Sequence, residues 1–206
     1  MSDTIEQLLT PRFVDVHTEG GTRSKVVIEP LERGFGYTLG NALRRILLSC
    51  IPGAAITEVK IDGVLHEYSS IEGVQEDVID ILLNLKGVAV KKEFDEAVTL
   101  TLTANGEGVL TAGDIQTVQD VEIANPDHVN AHLSSDAKFH AELTVRSGRG
   151  YQVSEARKSD TEDKEIGLMQ LDATYSPVLK VSYSVDDARV EQRTDLDKLT
   201  LKIETN

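Results

Sequence analysis

The spacing of apolar residues predicts one amphipathic helix in the first quarter of the chain. From Phe35 onward, apolar residues recur at steps of four, three and one, so they fall within one stripe of a helix with about 3.6 residues per turn. The members of this stripe are Phe35, Leu39, Ala42, Leu43, Ile46, Leu47 and Cys50. Because Pro52-Gly53 interrupts a helical pattern, we expect the helix to end before these two residues.

Alternation of apolar and polar residues predicts strands through much of the remaining chain. β-Branched residues at 22–29 indicate a strand that ends at a turn beside Pro30. Residues 54–62 alternate up to a hairpin-type Asp62-Gly63 turn that leads into residues 64–68. Further strands are expected at residues 98–103, 138–146, 178–185 and 198–204. The middle of the chain is therefore expected to be mostly sheet.

A second helix is predicted to follow the Asp62-Gly63 turn. Ser69 and Glu72 have the spacing of a capping box, and Gly87 suits the position just after a last helical turn. Between them, helical spacing is kept by Val74, Val78, Ile81, Leu82 and Leu85. The pattern thus predicts a helix that begins near Ser69 and ends before Gly87.

The polar segment 147–166 is predicted to be an exposed loop with one helical turn. A loop of this length in a compact domain is usually functional or mobile. At its start, the glycines and arginines of residues 146–151 suit either a phosphate-binding backbone cradle or a turn beside a strand. The spacing of a nucleotide-binding phosphate loop is absent, which favours the turn.

Two charged surfaces can each be interpreted either as solvated or as a contact surface for a partner. The first helix carries Asn41, Arg44, Arg45 and Leu48 opposite its apolar stripe. This face is either solvated or a contact face in which Leu48 is an apolar anchor and the arginines supply forked donors. Residues 186–197 mix both signs of charge and form either a solvated connection or a charged docking surface.

The charge and the cysteine content exclude or disfavour several classes of protein. The 206 residues include 35 acidic and 21 basic side chains, for a net charge of −14, so direct binding of nucleic acid is disfavoured. Cys50 is the single cysteine, which excludes an intrachain disulfide and a cysteine zinc site. Residues 1–12 lack the apolar stretch of a signal peptide, and no apolar run is long enough to span a membrane. A cytoplasmic location is expected.

The sequence gives little support for a catalytic site or a metal site. His128 and His132 are four residues apart, but Asn125-Pro126 and the residues around them favour a loop or strand, which would separate the two rings. No G-x-S-x-G nucleophile motif occurs. We therefore expect no catalytic residue, no metal and no cofactor.

Several ordered motifs resemble one protein family. They are EPLERGFGYTLGNALRRILL at 29–48, IDGVLHEY at 61–68, GVQED at 73–77, ILLNLKG at 81–87, GRGY at 148–151, YSPV at 175–178 and RVEQRTDLDKL at 189–199. Together they resemble the N-terminal domain of the bacterial RNA polymerase alpha subunit over nearly the whole chain. The length and order of the matches distinguish them from a single short motif.

The resemblance implies an α+β fold with two subdomains. A discontinuous dimerisation subdomain, made of a helix plus an antiparallel sheet, would comprise residues 1–52 and 176–206. An inserted, mostly β subdomain would comprise residues 53–175. Family members continue beyond the position of Asn206 into a further helix that completes the dimer interface, a flexible linker and a C-terminal DNA-binding domain, none of which this sequence contains.

The resemblance also implies partners and contact residues. The partners would be a second alpha subunit, in a homodimer or heterodimer, and the beta and beta-prime subunits, with no direct nucleic-acid or membrane contact. The implied dimer-interface residues are Phe35, Leu39, Leu43, Ile46 and Leu47. The implied beta contacts are Arg44, Arg45 and Leu48. The implied beta-prime contacts are Lys86, Leu171, Arg189, Glu191 and Arg193.

Two functions are therefore weighed. The first is a non-catalytic assembly subunit of DNA-directed RNA polymerase, because the family's catalytic metal lies on the large subunits. The alternative, suggested by the early end at Asn206, is a short alpha paralogue that acts in a heterodimer or as a regulator. An independent small-molecule enzyme is disfavoured because the sequence shows no convergent set of titratable groups.

Overall fold

The computed structural model describes residue 11 and residues 13–157, 166–190 and 193–206. Within these ranges the chain forms two helices and predominantly antiparallel strands, which makes it an α+β protein. The helices are α1 (Phe35–Ser49) and α2 (Val78–Lys86). The strands are β1 (Phe13–Thr18), β2 (Arg23–Leu31), β3 (Pro52–Ile61), β4 (Val90–Lys92), β5 (Val98–Asn105), β6 (Gly108–Thr111), β7 (Ile115–Gln116), β8 (Val121–Ile123), β9 (Val129–Leu133), β10 (Lys138–Arg149), β11 (Tyr151–Gln152), β12 (Leu168–Gln170), β13 (Ala173–Thr174), β14 (Val178–Val190) and β15 (Arg193–Thr205).

Two compact units divide the chain. Unit 1 comprises residues 1–51 and 178–206, and unit 2 comprises residues 52–177. Unit 1 contains α1 and a four-stranded antiparallel sheet in the order β1-β2-β15-β14. Unit 2 contains α2 and a sheet in the order β7-β5-β10-β3-β4-β8, with β12 added beside β3.

The sheet of unit 1 buries one face against α1. Val26, Leu201 and Tyr183 are register partners on β2, β15 and β14, and all three pack in the core of this unit. Because strand side chains alternate between faces, the residues next to them point to the opposite, outer face. The alternation at 198–204 and 178–185 therefore reflects a sheet with one covered face.

The strands of unit 1 extend beyond their predicted bounds. β14 and β15 run to Val190 and from Arg193, through the charged segment 186–197, so this segment is mainly a long hairpin. β2 continues through Pro30 to Leu31. Proline is tolerated there because β1 begins opposite Glu29 and the β15 register shifts between Leu31 and Ile28, so Pro30 lies outside the regular pairing.

Unit 2 is built on the long strands β3, β5 and β10. The predicted strands at 98–103 and 138–146 are confirmed, and β10 extends to Arg149 opposite Pro52 of β3. Buried side chains of these strands, such as Val59, Leu100, Leu102 and Leu143, form the core together with α2. The single helical turn expected in 147–166 is present at Ser154–Arg157, whereas residues 158–165 of that loop lie outside the described residues.

Two predictions for residues 62–77 are wrong. Gly63 does adopt the left-handed turn conformation, with φ of 79°, but residues 64–68 form no second hairpin strand. The helix begins at Val78 rather than near Ser69. The Ser69 hydroxyl donates to the His66 carbonyl (2.9 Å) instead of capping a helix, and the Gln75 amide donates to the His132 carbonyl (3.0 Å). Contacts distant in sequence thus hold this segment outside the helix.

Candidate subunit-contact surfaces

One face of α1 packs closely on the sheet of unit 1. Gly36 and Gly40 are buried in this face. A Cβ on Gly40 would lie 2.6 Å from the Tyr183 ring and 2.9 Å from Leu199 Cδ1, so only glycine allows this separation. Leu39, Leu43 and Leu47 are half-buried against the same core. The predicted helix is confirmed, and the packing explains why it contains two interior glycines.

The start of α1 is capped by a residue distant in sequence. Gly34 precedes the helix with φ of 83°, a conformation that favours glycine, and it has no side chain to cap the helix. Instead, Asp197 Oδ2 accepts hydrogen bonds from the amides of Gly34 (2.8 Å) and Gly36 (3.0 Å). A carboxylate at the positive end of a helix is electrostatically favourable. Nothing local to α1 indicates this role, so it cannot be predicted from the helix sequence.

A second face of α1 is apolar and uncovered. Phe35 is 45% exposed and Ile46 is 50% exposed, with Ala42 exposed between them and Leu39 half-buried beside them. Arg44 Nε donates to the Val181 carbonyl on β14 (3.2 Å), so this side of α1 lies toward β14. The exposed apolar side therefore lies toward β15 and β2.

The same side of the sheet is uncovered at β1 and β2. Val14 and Val16 are 62% and 58% exposed, and they pair with Ile28 and Val26, whose side chains reach the core of unit 1. Together with α1 they form an open surface that we call the apolar trough. Its members are Val14, Val16, Val26, Ile28, Phe35, Leu39, Ala42 and Ile46. The three valines and one isoleucine of the sheet were not predicted as contact residues, although FVDVHT at 13–18 shows the alternation of a strand.

The polar side of α1 is only partly free. Arg44 and Arg45 are both exposed, and Arg44 also donates a hydrogen bond to β14. Leu48 is half-buried and packs against the core of unit 1, so it does not point away from the sheet as the helical projection suggested. The projection placed Leu48 correctly away from Phe35 and Ile46 but could not show that the sheet reaches around to it.

Arg193 forms a charged cluster within unit 1. Its guanidinium donates to both carboxylate oxygens of Glu32 (3.3 and 3.0 Å) and to both oxygens of Asp195 (3.3 Å each). The hydrogen bonds from Arg193 lower the pKa of Asp195 below its usual range, and Glu32 raises the pKa of Arg193. Arg189 is exposed on β14, and Glu191 lies outside the described residues.

Lys86 and Leu171 lie in unit 2, and Lys86 interacts electrostatically with Asp172, the residue after Leu171. Asp172 accepts hydrogen bonds from the Ser154 amide (2.8 Å) and the Tyr151 hydroxyl (2.9 Å). These bonds lower the pKa of Asp172, and the nearby Lys86 ammonium lowers it further. Leu171 is only 7% exposed, so its side chain belongs to the core of unit 2. The neighbouring Lys86, Asp172 and Tyr151 supply the accessible groups there.

The residues of the candidate phosphate site and the candidate histidine pair have structural roles within the chain. Residues 146–151 form the end of β10 and a turn at Gly150, with Arg146 bonded to Glu58 (3.1 Å), as the turn interpretation predicted. His128 bonds the Asn84 carbonyl (2.8 Å), and His132 bonds Glu76. In the ranges that the structure describes, no group of three potential ligands could hold a metal ion.

The comparison with known families identifies the chain. Residues 59–176, more than half of the sequence, match the model of the RNA polymerase Rpb3/RpoA insert domain. The chain therefore belongs to this RNA polymerase family. The resemblance to the alpha subunit is confirmed at this level, and membership in a DNA-directed RNA polymerase complex follows from it. Among the described residues, no helix is long and apolar enough to cross a membrane.

Proposed function

We propose that the chain is a non-catalytic assembly subunit of a bacterial DNA-directed RNA polymerase. In this proposal it pairs with a second alpha-type subunit and provides the docking surface for the beta and beta-prime subunits. Family membership supports the polymerase context. The observation that carries the assembly role is the apolar trough, since contiguous exposed apolar surface of this kind usually marks a protein interface.

The apolar trough suits a second copy of an alpha-type subunit. A helix flank and two strands line it, so a partner helix laid beside α1 would cover Phe35, Leu39 and Ile46 together with the exposed valines of β1. Removing this area from water is favourable by about 25 cal/mol per Å². Leu43 and Leu47 already pack on the sheet of their own chain, so they would support the interface more than contact the partner.

The proposed beta and beta-prime contacts use the polar surfaces. Arg45 is exposed on α1 and would contact beta, with Arg44 and Leu48 beside it. Lys86, near Asp172, would contact beta-prime from unit 2, together with Leu171. Arg189, Glu191 and Arg193 would contact it from unit 1. Arginine is enriched at protein interfaces because its planar fork binds carboxylates bidentately.

The experiment that tests this function compares Ile46→Glu with Leu83→Glu. Leu83 is likewise an exposed aliphatic side chain on a helix and is 58% exposed, but it lies outside the apolar trough. The mass of each protein is measured by light scattering after size exclusion. We expect the native chain and Leu83→Glu to reach twice 22.5 kDa, and Ile46→Glu to stay monomeric because a carboxylate is buried in the interface.

Capture of the large subunits is measured in the same set of proteins. Co-purified beta is quantified for the native chain, Arg45→Ala and the control Lys91→Ala, which removes the same charge from unit 2. We expect Arg45→Ala to lower beta capture by at least about tenfold, because truncating a buried interfacial charge costs about 2 to 5 kcal/mol. A monomeric native chain that also captures no beta would contradict the proposed function.

A further inference from the structure

The outer face of the unit 1 sheet, opposite α1, carries a basic groove. A depression of about 320 Å³ on this unit is lined by Arg23, Lys25, Lys180, Ser182 and Lys202, together with Glu19, Glu204 and parts of Ser24 and Ile203. We call it the lysine groove. It is notable because the chain as a whole has a net charge of −14.

Strand register brings the lysines together. Lys25 on β2 is the direct partner of Lys202 on β15, and Lys202 is the partner of Ser182 on β14. Their inward neighbours Val26, Leu201 and Tyr183 pack in the core, so all three side chains lie on the outer face. Lys180 is two residues from Ser182 on the same face. Like charges directly opposite each other destabilise a sheet, so this pair calls for an explanation.

Nearby carboxylates do not neutralise the three lysines. On this face Glu204 bonds Arg23 (2.9 Å), Glu29 bonds Lys198 (3.2 Å) and Asp15 bonds His17 (2.8 Å). Among the described residues, Lys25, Lys180 and Lys202 have no ion-pair partner. These three acids are thus already paired. Glu19 also lines the groove, but the four basic side chains of the lining outnumber its two carboxylates, so the groove retains positive charge.

The layout of the ammonium groups favours an extended acidic chain over a compact anion. The lysines spread across three strands, and neighbouring strands are about 4.8 Å apart, so the charge extends over about 10 Å. The backbone amides of β15, in the middle of the groove, are paired to β2 and β14, so no amide cradle for a phosphate is available there. Alternate carboxylates of an extended peptide are about 6.6 Å apart, so two of them fit within this span.

We propose that the lysine groove binds an extended acidic segment of a partner protein through its carboxylates. The probe is a fluorescein-labelled peptide of alternating glutamate and serine, titrated with the 206-residue chain and followed by fluorescence anisotropy. We expect saturable binding that weakens between about 50 mM and about 200 mM salt, because the contacts are exposed ion pairs.

Matched variants locate the site. Lys25→Gln with Lys202→Gln is expected to weaken binding by about tenfold, because each lost exposed pair contributes up to about 1 kcal/mol. The control Lys91→Gln with Lys138→Gln removes the same charge from unit 2 and is expected to change affinity by less than about twofold. Glu204→Gln removes a carboxylate from the groove and frees Arg23, so it is expected to strengthen binding. Circular dichroism confirms that each variant is folded.

Three results would overturn the proposal. They are a native chain that shows no saturable peptide binding, an equal loss of affinity in the Lys91/Lys138 control, and selective binding of inorganic tripolyphosphate or a single-stranded oligonucleotide at the groove without peptide binding. The last result would assign the groove to a small polyanion or to nucleic acid instead. None of these results depends on dimerisation or on capture of the large subunits, so the two proposals fail separately.

Discussion

At the scale of single residues, Asp197 connects the two sequence segments of unit 1. It is 8% exposed, and its carboxylate accepts the amides of Gly34 and Gly36 at the start of α1. The first amides of a helix have no partner within the helix, so an acceptor must come from elsewhere when that end is buried. Here a β15 residue supplies it, which fixes the start of α1 on the sheet.

Removing the Asp197 carboxylate is expected to destabilise unit 1. Asp197→Ala leaves buried amides without an acceptor, so we expect the free energy of unfolding to fall by about 1 to 3 kcal/mol. The measurement is urea unfolding followed by circular dichroism. Asp195→Ala is the control, since its exposed pair with Arg193 contributes little, and its midpoint should stay close to that of the native chain. Equal shifts in both variants would show that the cap is unimportant.

At the scale of elements, the separation of α1 from its sheet depends on Gly40. Gly40 is four residues from Gly36, a spacing that permits close packing, and the structure shows that the close neighbour is the unit's own sheet. The close packing of one flank of α1 on β14 and β15 therefore leaves its other flank exposed.

A methyl group at position 40 is expected to lift α1 from the sheet. Gly40→Ala should lower the free energy of unfolding by about 1 to 3 kcal/mol through overpacking, although alanine has the higher helix propensity. Gly108→Ala is the control, because a Cβ there meets no atom within 4 Å. Thermal unfolding of both variants provides the measurement. A Gly40→Ala protein that is as stable as the control would mean that the Tyr183 ring moves aside at little cost.

Local patterns predicted elements well and failed where distant contacts decide the outcome. The stripe from Phe35 to Cys50 placed α1 within a residue of its observed end, because a helical period is a local property. The capping signal at Ser69 misplaced the start of α2, because hydrogen bonds to His132 hold the preceding segment out of the helix. The uncovered half of the sheet and the pairing of Arg193 with Glu32 depend on register between strands that are far apart in sequence.

At the scale of the whole molecule, the chain enters and leaves unit 2 at neighbouring points. A Cβ on Gly53 would lie 1.9 Å from the Tyr175 carbonyl oxygen and 3.3 Å from Pro177 Cδ, so the first and last residues of unit 2 are in contact. Termini that lie close together are typical of a domain that can be inserted in, or removed from, a host chain.

Residues 52–177 are therefore expected to fold when expressed alone. Unit 2 has its own continuous core, which includes Phe139, Leu143 and Ile81. Thermal unfolding monitored by circular dichroism should show one cooperative transition, and a Leu143→Ala variant should unfold at a lower temperature because it leaves a cavity costing about 2 to 5 kcal/mol. A broad, non-cooperative loss of signal would show that unit 2 needs unit 1 in order to fold.

The cap on α1 also bears on the order in which the protein is made. Gly36 and Asp197 are 161 residues apart, and Arg44 and Val181 are 137 apart, so α1 leaves the ribosome long before the strands on which it packs. Unit 2 is contiguous and can fold while the rest is still being translated. The apolar trough takes shape only after β15 joins β2 and β14. Nascent chains thus lack a formed apolar trough until β15 has been synthesised, so association through this surface would have to wait for that strand.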